Sequence, residues 1–140
     1  MKDLLFRQVH PSHFKNGLSS GAFRPTPSDD DMLSVDCGNL TTAKASYELH
    51  CKKTKQLSDG SRVPLETVGT WAITRDACAI SGLPITADPL PATAYQPANA
   101  AHQLVDFTNI EGKPSKKNDT VAKRLKQRAL EIGCLWPEVD

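Results

Sequence analysis

Four of the ten prolines, Pro84, Pro89, Pro91 and Pro97, fall between residues 84 and 99. Proline fixes its own φ, lacks a backbone N–H and pushes the preceding residue toward extended geometry. No regular element is therefore expected there, and the segment reads as a long extended connection. Connections of that length are uncommon unless they carry a function. With the eight glycines, the prolines cut the chain into short elements and make it rich in loops. Its 140 residues are the usual size of one domain, enough to enclose a single core, which argues against global disorder.

Between these breaks the apolar pattern predicts short elements. LLFRQV (4–9) reads as a strand that ends at His10-Pro11. Asn16-Gly17 and Ser20-Gly21 are turn signals. AFR (22–24) reads as a second short strand, PTPSDDD as a loop and MLSVDC (32–37) as a third strand. Thr41 or Thr42 can cap a helix over AKASYELHCKKTKQ (43–56), with Ala45 and Leu49 on one face and Lys44, Glu48 and Lys52 on another. LETVGTWAIT (65–74) is a strand with Val68, Trp71 and Ile73 as its bulk, and Thr74 caps a short helix ending near Gly82. HQLVDF (102–107) is a last strand. Asn118 or Asp119 caps a final helix whose stripe is Val121, Leu125, Ala129 and Ile132. The order predicts a single α+β domain, with a small mixed or largely antiparallel sheet and about three helices. Residues 1–112 form its body, and 113–140 a basic helix packed on the same domain.

No stretch reaches the roughly 18 apolar residues of a membrane span. MKDLLFRQVHPSHF has neither the long apolar run of a secretory signal nor an Arg-rich amphipathic pattern. Cysteines 37, 51, 78 and 134 are separated by 14, 27 and 56 residues, without a C-x-x-C or a zinc-type spacing. The expectation is a reduced, cytoplasmic chain with buried free thiols and no metal. Charge is uneven. Residues 113–128 hold seven Lys/Arg and one Asp, a net +6, which leaves −5 for the remainder of a chain of net +1.

The residue that most needs an answer is Arg7, a charge set between Phe6 and Val9 in an apolar strand. A buried unpaired charge is costly, so it must face water, a partner or a ligand. Around it in sequence stand His10, His13, Ser19, Ser20, Arg24, Thr26 and Ser34, donors suited to phosphate or carboxylate. His10 and His13 form an H-x-x-H with no further metal ligands at a suitable spacing. His10 is suited to proton transfer or ligand contact. His102 follows the proline-rich connection and could approach the Arg7 strand within the sheet. Asp29, Asp30 and Asp31 lack the spacing of a calcium loop and read as solvated. There is no P-loop, no G-x-G-x-x-G and no H-E-x-x-H. Lys116, Lys117, Lys123, Arg124, Lys126 and Arg128 could contact nucleic-acid phosphates or a protein partner. No aromatic residues interleave with them to stack bases, and a solvated helix face is the preferred reading.

In the order of LLFRQV, LSVD and ASYELH, the first 50 residues resemble RES-type and wider ADP-ribosyltransferase-like domains. The tyrosine that the RES group carries near the second of these motifs is absent at LSV. The resemblance implies a cleft that binds NAD, with Arg7 on the nicotinamide or phosphate portion, Ser34 lining the pocket and Glu48 at the ribose during glycosidic cleavage. His10 joins these as a catalytic candidate, and Ser20, Arg24, Thr26 and His102 as ligand contacts. The leading expectation is thus a nucleotide cleft with glycohydrolase or transferase chemistry. The alternative is a non-catalytic interaction module, accessory or immunity-like, docking a protein or nucleic acid through the basic helix.

Overall fold

The computed structural model describes residues 3–25, 30–108, 110 and 114–138, with side chains for all of these except 114–118. Among these residues seven strands are present: β1 Leu4–Gln8, β2 Met32–Cys37, β3 Thr54–Gln56, β4 Arg62–Pro64, β5 Thr70–Thr74, β6 Ile85–Ala87 and β7 His102–Asp106. Three α-helices accompany them: α1 Ala43–Cys51, α2 Arg75–Ile80 and α3 Pro114–Ile132. Five strands make one sheet in the order β5-β1-β2-β7-β6, and β3 and β4 form a separate hairpin. Every pairing is antiparallel. The architecture is α+β.

Strand side chains alternate between faces, and directly opposed residues share a face. Leu5 opposes Ile73, and Leu33 opposes Val105. These four, with Val35, lie at 2% exposure or less and join Val121, Ala122, Leu125 and Ala129 of α3 in one apolar core. The other face is polar. Phe6 opposes Asp36, Asp36 opposes His102, and Gln8 opposes Thr70. Helix α1 covers that face through Ser46, whose hydroxyl donates to Asp36 Oδ2 at 2.7 Å and accepts from Gln8 Nε2 at 3.0 Å. The hairpin is tied to the proline-rich segment. The Arg62 guanidinium lies 3.5 Å from the Tyr95 ring centroid, and the Thr54 N–H donates to the Tyr95 carbonyl at 3.1 Å.

Several local expectations are corrected. AFR is not a strand: Ser20–Phe23 form a 3₁₀ turn capped by Ser19, whose Oγ accepts from the Gly21 N–H at 3.2 Å, and the turn buries Ala22 and Phe23. Helix α1 ends at Cys51, because Thr54–Gln56 pair with β4 instead. Its inward residues are the polar Ser46 and His50, whereas Ala45 is exposed. The proline-rich segment does contain an element. Residues 85–87 precede the dense prolines and pair with β7 at the sheet edge as β6, where a neighbouring proline costs no ladder bond. Helix α3 begins at Pro114, ahead of Asn118, since a proline is well tolerated in a first turn. The cysteines are free, but only Cys37 and Cys78 are buried; Cys51 is exposed. Burial pushes the Cys78 thiol up to about 12, which leaves it inert. No helix among the described residues is long and apolar enough to cross a membrane.

The packing of α3 on the sheet yields the first prediction. Leu125 is fully buried on this helix, whereas Lys123 is exposed on it. Leu125→Ala should cost roughly 2–5 kcal/mol in urea unfolding, with one cooperative transition retained. Lys123→Ala should change stability by less than about 1 kcal/mol.

Candidate functional site

The site begins where two strands part. β1 and β2 pair only at Leu5 with Cys37 and Phe6 with Asp36. Beyond that point β1 continues along β5, to Gln8 opposite Thr70, and the N-terminal half of β2 runs along β7. Arg7 sits at the divergence. Its Nε donates to the Ala22 carbonyl at 2.8 Å and its Nη1 to the Ser34 carbonyl at 2.9 Å. The guanidinium thereby links β1, the 3₁₀ turn and β2 where no strand ladder does so.

A cavity of about 340 Å³ opens on the polar face beside this divergence. All four histidines of the chain, His10, His13, His50 and His102, line it. They arrive from four places: the end of β1, the 3₁₀ turn Pro11–His13, the last turn of α1 and the start of β7. Arg7, Lys53 and Lys55 supply positive charge to the lining, and Asp36 and Glu66 negative charge. Among the described residues, no three His, Cys, Asp or Glu side chains are arranged to hold a metal ion.

Each histidine is held differently. His10 is exposed, and its Nδ1 accepts from the Ser12 N–H at 3.1 Å, so in the neutral ring the hydrogen lies on Nε2, which faces Glu66 Oε2 at 3.8 Å. His13 packs against Gly21, where a Cβ would come within 2.8 Å of its Nδ1 and displace the ring. Burial, and then the charges of Arg7, His10 and Arg24, hold His13 below its ordinary value. His102 is buried, with Nδ1 2.9 Å from the Asp88 carbonyl and 3.1 Å from Asp88 Oδ2. Both are acceptors, so Nδ1 carries hydrogen, and Nε2 of the neutral ring is left as an acceptor. His50 is pushed down to about 4, first by burial and then by the Lys53 ammonium and Arg7, with the Glu66 backbone and Asp36 opposing. Burial and Arg7 likewise hold Lys53 below its ordinary value, against the pull of Asp36.

Asp36 anchors the floor. Its Oδ2 accepts from Ser46, and its Oδ1 accepts from Asn99 Nδ2 at 2.8 Å. Gln8 extends this network, donating to Thr70 Oγ1 at 2.7 Å and accepting from Thr67 Oγ1 at 3.0 Å. The polar groups are thus satisfied internally, which fixes their positions.

Of the residues singled out in the sequence, Arg7, His10, His13, Ser34 and His102 meet at this cavity. Glu48 does not line it: it is exposed on α1, 3.9 Å from Lys44. Ser20 stands in the second 3₁₀ turn, outside the lining. Arg24 points away to Asp119 at 3.5 Å. Thr26 falls outside the described residues. Along α3, Lys123 pairs with Asp119 at 3.3 Å and Arg128 with Glu131 at 2.8 Å; Arg124 is exposed and Lys126 half-buried. The side chains of Lys116 and Lys117 lie outside those described.

The ionisable lining residues that pattern reading did not assign to a site are Asp36, His50, Lys53, Lys55 and Glu66. One signal for them exists. Ser46 and His50 stand four apart on α1, so a polar stripe marks the inward face of this helix. Comparison with protein-family models, curated proteins and solved structures found no match for this chain.

The depressed His50 sets a pH dependence. Its folded value lies below the ordinary 6.5, so the unfolded chain binds this proton more readily. Stability from this residue is complete above about pH 6.5 and is lost as pH falls toward about 4, by roughly 3 kcal/mol at most. NMR titration of the His50 ring should show a midpoint near 4, and His50→Gln should flatten the acid limb of a stability–pH curve.

Proposed function

We propose that the cavity binds a phosphate-bearing, nucleotide-like ligand of the NAD type. The observation that carries this reading is the convergence of all four histidines with Arg7, Lys53 and Lys55 on one concave surface. Imidazole, ammonium and guanidinium groups around a single hollow are suited to an anion that also engages in proton transfer. Small-molecule cavities run from about 300 to 1,000 Å³. This one lies at the low end and suits one nucleotide unit of a dinucleotide. The likeness of the first 50 residues to ADP-ribosyltransferase-like domains supports the same ligand class.

Within this reading the roles are redistributed. Arg7 shapes the cavity, because two of its nitrogens are committed to backbone carbonyls. His102, oriented by Asp88, is the group placed for proton transfer. Glycosidic cleavage needs a carboxylate to stabilise charge developing on the ribose. Glu48 is remote, and both oxygens of Asp36 are engaged by Ser46 and Asn99. Glu66, exposed on the rim, takes that role. The rival reading, a docking module working through α3, draws support from net charge alone, and two of the described cations there are already matched by carboxylates.

NAD at millimolar concentration should raise the thermal midpoint and give a calorimetric binding signal. Lys55→Gln, at an exposed position, should weaken binding several-fold without changing the midpoint of the unliganded protein. Glu66→Gln should retain binding and lose release of nicotinamide. Absence of any NAD binding at millimolar ligand overturns the reading.

A further inference from the structure

The corner between α1 and β3 holds an ammonium that feels Asp36 at a distance but touches no acceptor among the described residues. Lys53 follows α1 directly and is half-buried. Its backbone is held, since the Lys53 N–H donates to the His50 carbonyl at 3.1 Å and its own carbonyl accepts from the Leu65 N–H at 2.9 Å. Its ammonium has no carboxylate within 4.0 Å and no hydrogen-bond acceptor among the described residues. Ordering and partly desolvating a lysine in this way is costly unless something supplies the missing acceptors. His50 stands three residues earlier, at the end of α1, and lines the same cavity.

We propose that His50 and Lys53 form the seat for the diphosphate of the ligand, a dianion with one charge on each phosphate, which enters this corner of the cavity. The inference deepens the nucleotide reading by assigning its phosphate to particular residues. Lys53 donates up to three hydrogen bonds and an imidazolium a further one, which matches the oxygens of a phosphate. Arg7 adds positive field from β1 without needing to touch the ligand. Facing His50 are Arg7, Asp36 of β2, Lys53 and, beyond β4, Glu66; His10, His13, His102 and Lys55 line the rest of the cavity. Burial and the two cations keep His50 neutral at physiological pH. A dianion beside it reverses that balance, and His50 takes up a proton as the seat fills. Binding therefore tightens as pH falls from neutral.

Sulfate is the probe, because it remains a dianion across this pH range and its own titration does not intrude. Calorimetry at pH 5.5 and pH 7.5, in buffers of different ionisation heat, should give tighter binding at the lower pH with net proton uptake. His50→Gln should abolish much of that pH dependence. Lys53→Met should weaken sulfate binding roughly tenfold to a hundredfold, the loss expected for a charge-assisted hydrogen bond. The same variant should unfold at an equal or higher temperature than the parent, which separates loss of the seat from loss of the fold. Sulfate binding indifferent to both substitutions, or no sulfate binding, overturns the proposal. NAD binding unaffected by either variant also overturns it while leaving the nucleotide reading intact. Sulfate binding that depends on both residues, in a protein that ignores NAD, upholds the seat and rejects that reading.

Discussion

The guanidinium of Arg7 stands where a ladder of backbone hydrogen bonds would otherwise be. β1 and β2 separate after two residue pairs, and the resulting wedge would expose carbonyl groups on both sides. Backbone acceptors in such a position need donors. Arg7 supplies them to Ala22 and Ser34. A planar, permanently charged fork suits this task better than an ammonium, since its donors have a fixed spacing. The cavity exists because the strands part, and the parting is tolerable because Arg7 spans it.

Around this point the charges form a graded arrangement. Asp36 is deep, half-buried and fully engaged, so it sets the geometry of the floor. His102 and His50 line the walls in different electrostatic settings, one against a carboxylate and the other beside cations. Glu66 and His10 occupy the rim, where water screens them. Burial first, and then the neighbouring charges, set the imidazoles of His50 and His13 apart from the others.

How much of this was legible in the sequence follows from the range of the forces involved. β2 and the caps at Thr42 and Thr74 are local features: alternation and a hydroxyl three residues ahead of an amide specify them. The stripe on α3 is equally local and was legible for the same reason. β3 and β6 were not, because three-residue strands are stabilised by partners distant in sequence rather than by their own composition. Arg7 could be recognised as a charge in need of a partner, but its partners are main-chain carbonyls of other segments, which no side-chain pattern encodes. Glu48 attracted notice by its order after Arg7 and Ser34; in space it turns toward Lys44, because Ser46 and His50 take the inward face of α1.

The stacking of Arg62 on Tyr95 bears on how this hollow would behave in solution. Through it, the hairpin that presents Lys53 and Lys55 is fastened to the proline-rich segment, whose later part returns as the strand bearing His102. Proline restricts that segment in the unfolded chain as well, so ordering it costs less entropy. Opposite walls are thus joined into one frame, and a ligand entering between them finds its contacts already assembled. For the proposed ligand this frame favours recognition by preorganisation, with little of the interaction energy diverted to ordering loops.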